Sequence, residues 1–237
     1  GWLSAEKVKV MKYNNIVEGR FIERPNRFIA KVEIGGVTET VHVKNTGRCR
    51  ELLVKGTTVY LEKSNNPERK TGYDLIAVLK NGKTLINMDS QIPNAVTEEW
   101  LRKGNLFSKD AVIRREVTHN KSRFDFYIEE GGRKIFLEVK GCTLETDGIA
   151  RFPDAPTERG VKHINELIDC VNEGFEAYIL FVIQMKGIKH FEPNDKTHSA
   201  FGDALRNAES KGVNILAYDC NVTKDTIEID KEIKVLL

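Results

Sequence analysis

The stretch Arg123-Phe124-Asp125-Phe126-Tyr127-Ile128 alternates like a strand, and so does Lys134-Ile135-Phe136-Leu137-Glu138-Val139-Lys140. Gly131-Gly132 lies between them. Period-two alternation marks a half-buried strand. A glycine pair readily takes the positive φ angles of a two-residue hairpin turn. Such a turn sets Asp125 opposite Glu138 and Arg123 opposite Lys140. Side chains on one strand face repeat every second residue, so Asp125, Glu138 and Lys140 share a face. Opposed Cβ atoms stand about 4.5–5.5 Å apart. Two carboxylates held that close are unfavourable unless a cation or a proton joins them, which points to a divalent metal.

Outward from this hairpin, the spacing predicts a helix over 95–103, strands over 111–118, 122–129 and 133–140, and a helix over 157–173. A buried strand over 177–184, a helix near 200–211 and a strand over 213–218 complete the back half. Val161, Ile164, Leu167, Ile168 and Val171 form one apolar stripe on the 157–173 helix. The order α-β-β-β-α-β predicts a mixed sheet carrying helices. The front half reads as strands over 16–23, 27–34, 37–43, 57–63, 73–80 and 83–88, with hairpin turns at Gly35-Gly36 and Asn81-Gly82. A short helix over 47–53, capped by Thr46, is expected after the third strand. This order suits an oligonucleotide-binding (OB) type β-barrel, with an SH3-like barrel as the competitor. The fold class is therefore α+β in two domains, residues 1–88 and 89–237.

The 237 residues carry a net charge of +2, unevenly shared. Residues 1–88 hold sixteen Lys or Arg against nine Asp or Glu, and residues 89–237 twenty-one against twenty-six. A basic front half suits a protein that grips a polyanion. The longest apolar run, Ala177 to Ile183, is too short to cross a bilayer, and no basic-then-apolar leader opens the chain. A cytoplasmic protein without a membrane partner is expected. Cys49, Cys142, Cys170 and Cys220 lack metal-site spacing and read as reduced thiols. Arg48 and Arg50 flank Cys49 and would favour its thiolate.

Glu-x-Lys also occurs at Glu68–Lys70 and Glu232–Lys234, and Asp219 precedes Glu232 by the same interval that separates Asp125 from Glu138. Only Asp125–Glu138 lies on a clean hairpin. The decoy interval lacks a compact turn and is expected to fray at the C-terminus. If the cluster works chemically, Asp125 and Glu138 hold Mg²⁺ or Mn²⁺, with Glu116 as an extra ligand or a solvent-facing residue. Lys140 orients a water or balances transition-state charge. The plain alternative is a solvated salt bridge.

Other residues read as phosphate grips. His42, Lys44, Asn45, Arg48 and Arg50 surround the 47–53 segment. Arg69 and Lys70 stand beside Tyr73, a charge-and-ring pairing found in single-strand grooves. Arg151, Arg159, Lys162 and His163 gather at a helix start, where amides favour anions; the alternative is an ordinary cap at Asp154 or Thr157 with solvated basic residues, and His163 reads as a surface or core histidine. Gln184 could bond a metal water or simply end a core strand.

Asp125…Glu138-Val139-Lys140 in this element order resembles the PD-(D/E)xK nuclease superfamily, with Arg123-Phe124-Asp125 where that pattern has Pro-Asp. Almost the whole chain resembles the sugar fermentation stimulation protein A family. The matching stretches are His42 to Cys49, Ser122 to Phe126, Phe136 to Gly141, Phe152 to Gly160 and Leu216 to Cys220. That resemblance implies an OB-like front domain, a nuclease-like back domain, DNA as partner and a link to control of sugar (maltose) metabolism genes. It leaves open a metal-dependent nuclease or a DNA-binding regulator that does not cleave.

Overall fold

A computed structural model describes residues 11–237. The front strands are β1 (Ile16–Glu23), β2 (Ile29–Ile34), β3 (Val37–Val43), β4 (Thr58–Lys63), β5 (Tyr73–Lys80) and β6 (Thr84–Asn87). They run β3-β2-β1-β4-β5-β6. Parallel pairing of His42 with Asp74 and Val43 with Leu75 joins β3 to β5 and closes β1 to β5 into a barrel. That closure is the OB arrangement and removes the SH3-like competitor. Gly35 and Gly36 take φ of 58° and 80° and turn β2 into β3 in two residues. The Asn81-Gly82 turn needs one residue more, because Lys80 pairs with Thr84.

The expected helix over 47–53 is absent; the segment is a turn. Cys49 takes a left-handed φ of 49°, and a distant side chain, Arg24, holds the carbonyls of Asn45, Gly47 and Arg48. A carbonyl bound sideways to guanidinium is diverted from helical bonding. Thr46 thus has no helix to cap.

The back elements are α1 (Ile92–Arg102), β7 (Val112–His119), β8 (Ser122–Glu130), β9 (Arg133–Cys142), β10 (Leu144–Thr146) and β11 (Ile149–Phe152). Then come α2 (Glu158–Asn172), β12 (Glu176–Ile183), β13 (His190–Pro193), α3 (Asp195–Ser210), β14 (Asn214–Val222) and β15 (Ile227–Ile233). The central sheet runs β15-β14-β12-β9-β8-β7, with β12 parallel to both β9 and β14. Helix α2 starts where the Thr157 hydroxyl accepts from Gly160 N at 3.0 Å. It buries Ile164, Leu167 and Ile168 on one sheet face, each contributing about 1.5–3 kcal/mol. On the other face α1 packs Val96, Trp100 and Leu101 with Phe126, Ile128, Leu137 and Val139. β10, β11 and β13 form a small extra sheet that the sequence did not signal. The C-terminal end does not fray: Ile227, Ile229 and Ile233 of β15 are buried against β14.

The two domains meet through a buried polar junction. Asp89, 2% exposed, accepts from the Tyr13 hydroxyl at 2.9 Å and from Gln91 N at 2.9 Å. Lys44 Nζ lies 3.7 Å from it. Gln184 Nε2 donates to the Asp89 carbonyl and to Asn87 Oδ1 at 3.1 and 3.2 Å. No helix among the described residues is long and apolar enough to cross a membrane.

Candidate functional site

Gly131 and Gly132 take φ of 52° and 84°, and Glu130 pairs with Arg133. The two-residue turn therefore forms, and the ladder runs up to Phe126 opposite Leu137. There it stops. Asp125 N donates to Glu138 Oε1 at 2.9 Å, and Val139 N donates to Asp125 Oδ2 at 2.8 Å. Each carboxylate has replaced a backbone rung by capping the opposite strand. Glu116 of β7, left out of the ladder between Arg115 and Val117, takes a left-handed φ of 54°. Phe124 packs on Phe136, with ring centroids 4.7 Å apart, whereas Phe126 belongs to the core under α1. The strand thus switches faces at Asp125.

Asp125, Glu138 and Lys140 are brought together, although not as a regular ladder would place them. Glu138 is 3% exposed. Its Oε2 lies 4.0 Å from Lys140 Nζ and 3.3 Å from His163 Nδ1. Lys140 Nζ is 2.9 Å from the same His163 nitrogen. Asn94 of α1 donates to Asp125 Oδ1 at 3.1 Å. Burial first, and the neighbouring Glu138 second, raise the Asp125 carboxyl above the ordinary carboxylate range. Burial lowers the Lys140 ammonium, partly offset by Glu138 and Asp125. The β8–β9 ladder does not extend to Arg123 and Lys140; on its other side Arg123 pairs with Thr118 of β7 and forms an ion pair with Glu116 at 2.9 Å. That ion pair holds Glu116 in an exposed position. The decoy acids stay apart in chemistry: Asp219 is tied to Lys186, and Glu232 is exposed. Among the described residues no group of three His, Cys, Asp or Glu side chains is placed for a metal.

The basic residues divide into two sets. Arg69 forks onto Asp74 at 2.7 and 3.1 Å, and His42 Nδ1 lies 3.0 Å from the same carboxylate. Burial alone would raise the Asp74 carboxyl, but Arg69 and His42 bring it below its ordinary range. Both residues therefore brace the barrel seam. Asn45 is also structural, accepting from Gly47 N at 2.8 Å and donating to the Met88 carbonyl at 3.0 Å. Arg151 pairs with Glu192 at 2.7 Å. Arg48, Arg50, Lys70 and Arg159 are exposed, and Arg159 Nε reaches His163 Nε2 at 3.4 Å. Lys162 is exposed and lies 3.7 Å from Glu166. Cys49 is buried, and burial pushes its thiol up to about 12, so the flanking arginines do not make it a thiolate.

A cleft of about 310 Å³ lies between the domains, bordered by Asn45, Gly47, Gly141, Arg151, Asp154 and Gln184. A Cβ on Gly141 would stand 2.6 Å from Gln184 Oε1 and 2.8 Å from Pro93 Cγ. Gly141→Ala should cost about 1–3 kcal/mol through that overlap, read as a lower urea midpoint; an unchanged midpoint would mean that the cleft wall yields freely.

Residues 91–226 match the family model of the sugar fermentation stimulation protein RE domain, and residues 22–88 that of the SfsA N-terminal OB domain. The chain belongs to the sugar fermentation stimulation protein family. A sugar fermentation stimulation protein homolog of Ruminiclostridium cellulolyticum is 61% identical over 227 residues, 96% of this chain and 100% of its own. One from Desulfitobacterium hafniense is 63% identical over 218 residues, covering 92% of this chain and 95% of its own. The solved structure of Pyrococcus furiosus SfsA in complex with Ca²⁺ is 28% identical, covers 97% of this chain and 99% of its own, and superposes with a TM-score of 0.85. The family's two domains are thus an OB barrel and a mixed sheet with three helices. Sequence reading undervalued His163, taken for a surface or core histidine, and did not single out Asn94 or Arg24. Each acts through a contact far away in sequence.

Proposed function

We propose that this family member binds nucleic acid and cleaves phosphodiester bonds with a divalent metal, Mg²⁺ or Mn²⁺, held by Asp125 and Glu138. The observation that carries this is the exchange of backbone amides between the two carboxylates, which fixes both acids beside a half-buried lysine. The donor set fits a hard cation: every carboxylate oxygen keeps a free lone pair after its contacts. Mg²⁺ ordinarily uses one or two carboxylates and completes its shell with waters and phosphate, so a third acid such as Glu116 is not required. The Ca²⁺ complex of the Pyrococcus furiosus relative supports a hard-cation site in this fold. Bound there, the metal would polarise the scissile phosphate and lower the pKa of a water. Lys140 would orient that water, while His163 holds the ammonium in place. The basic barrel would grip DNA through Arg48, Arg50 and Lys70. A second reading, a DNA-binding regulator of sugar metabolism that does not cleave, is favoured by the positive charge of residues 1–88.

Incubation of labelled DNA and RNA panels with Mg²⁺ or Mn²⁺ separates the two. Cleavage by the wild type, reduced about 10²–10³-fold in Lys140→Met, is expected. Binding without cleavage in the wild type would select the regulator.

The raised Asp125 carboxyl adds a pH signature. The folded chain holds that proton more tightly than the unfolded chain, so its contribution to stability is fully present at low pH. It is lost as pH rises past the ordinary carboxyl value of about 3.9 and through the folded value. A bound cation takes over the proton's role. The Tm gained from saturating Mn²⁺ should therefore be larger at a pH above the folded carboxyl's titration than at one below it, and Asp125→Asn should show no such difference. An equal gain at both pH values in the wild type would contradict it.

A further inference from the structure

The loops at the barrel mouth carry groups that the metal site does not use. Phe28, on the β1–β2 loop, is 49% exposed, and the Arg27 guanidinium lies 4.8 Å from its ring centroid. A lone exposed phenylalanine is ordinary; its mounting is not. Asn26 Oδ1 accepts from Phe28 N at 2.8 Å and from Ile29 N at 3.1 Å. Arg24 donates to the Arg27 carbonyl on this loop at 2.6 Å. It also donates to the carbonyls of Asn45, Gly47 and Arg48 on the β3–β4 loop at 2.5, 2.5 and 3.0 Å. One half-buried guanidinium therefore joins the two loops, with its terminal N–H groups spent on four carbonyls and its Nε–H left without a partner.

Arg27, Arg48 and Arg50 are different. All three are exposed, and among the described residues none lies within ion-pair distance of a carboxylate. With Phe21 and Leu53 they border a groove of about 370 Å³ that has no acidic residue in its lining. Gly47 borders both this groove and the interdomain cleft, so the two are neighbours along one path. The cleft in turn reaches Gly141, the residue after Lys140.

We propose that this groove takes the phosphates of a single-stranded nucleic acid on Arg48 and Arg50, with an unpaired base stacked on Phe28, which adjoins the groove through Arg27. The strand then runs past Gly47 into the cleft toward Lys140. The inference rests on the nucleic-acid reading above and narrows its substrate to single strands. A base inside a duplex has both faces covered by its neighbours, so only an unpaired base can lie on the Phe28 ring. Aromatic stacking and arginine contacts to the backbone are the two ingredients of single-strand grooves.

The test is fluorescence anisotropy on the full chain in EDTA, with a labelled oligothymidylate of about 12 nucleotides and a duplex of equal length. Wild type should bind the single strand more tightly than the duplex. Phe28→Ala should weaken single-strand binding about tenfold and leave duplex binding unchanged, whereas Phe28→Trp should retain it. Phe28→Ala should also melt like the wild type, since the ring is half exposed. The Arg48→Ala/Arg50→Ala double variant should flatten the salt slope for the single strand by about 1.4, the value for two phosphates. Single-strand affinity unchanged in Phe28→Ala, or a tenfold loss shared by the duplex, would overturn the site. Metal and cleavage play no part in this measurement, so failure of the metal site leaves the result standing. Absence of binding to either ligand would bring down the nucleic-acid reading as well.

Discussion

Asp125→Asn should melt at a higher temperature than the wild type in EDTA, and should lose the response to Mn²⁺. Two effects combine. The substitution removes a charge that burial and Glu138 both disfavour. It also keeps the local hydrogen bonds. The amide oxygen can still accept from Val139 N, and Asn94 can turn its own amide to accept from the new NH₂. Relief of a strained functional charge typically adds about 1 kcal/mol, which is about 2–4 °C for a chain of this size. Mn²⁺ at about 100 times its Kd would stabilise the wild type by about 2.7 kcal/mol, and this gain should vanish in the variant. Differential scanning fluorimetry with and without Mn²⁺ reads both effects. A variant that melts lower in EDTA, or one that still gains from Mn²⁺, would mean that Asp125 is a structural cap and not a ligand.

The second large effect lies at the domain junction. Asp89→Ala should destabilise the chain by about 3–5 kcal/mol, the cost of breaking a buried charge pair by removing one partner. Burial, then the Asp89 charge, raise the Tyr13 phenol, so it stays a donor and loses its acceptor. Gln91 N loses its acceptor too, and Lys44 loses its counter-charge. Asp89→Asn keeps an acceptor oxygen and should cost only about 1–2 kcal/mol. Urea unfolding followed by tryptophan fluorescence measures the difference. An Asp89→Ala cost under about 1 kcal/mol would show that the junction is wet and the domains independently stable. The junction matters for function because the cleft that reaches Gly141, the residue after Lys140, has one wall from each domain.

Much of this was legible in the sequence where the signal is local. The Gly131-Gly132 turn and the alternation around it fix the β8–β9 register, and with it the meeting of Asp125 and Glu138. The interlock itself was hidden, because no pattern records a carboxylate displacing a backbone rung. Alternation placed Phe124 and Phe126 on one face; the break at Asp125 separates them. The 47–53 helix failed for the same kind of reason. Its carbonyls are taken by Arg24, more than twenty residues upstream. His42 read as a free cation because Asp74 becomes its partner only once β3 and β5 lie parallel, and Arg69 because its fork onto the same carboxylate is a loop contact that no strand alternation records. β10, β11 and β13 span 3–4 residues each, too few for any periodicity. β15 was missed because its exposed Asp230, Lys231 and Glu232 mask the buried isoleucines.

The most direct test is the rate at which an end-labelled single strand is cut in Mn²⁺ by wild type and by Glu138→Gln. That variant keeps an oxygen to accept from Asp125 N but removes the charge that would hold the metal. Cutting by the wild type, with a loss of about 10³-fold or more in the variant, is the expected result. Equal rates, or no cutting by the wild type, would contradict a phosphodiesterase site built on the two interlocked acids.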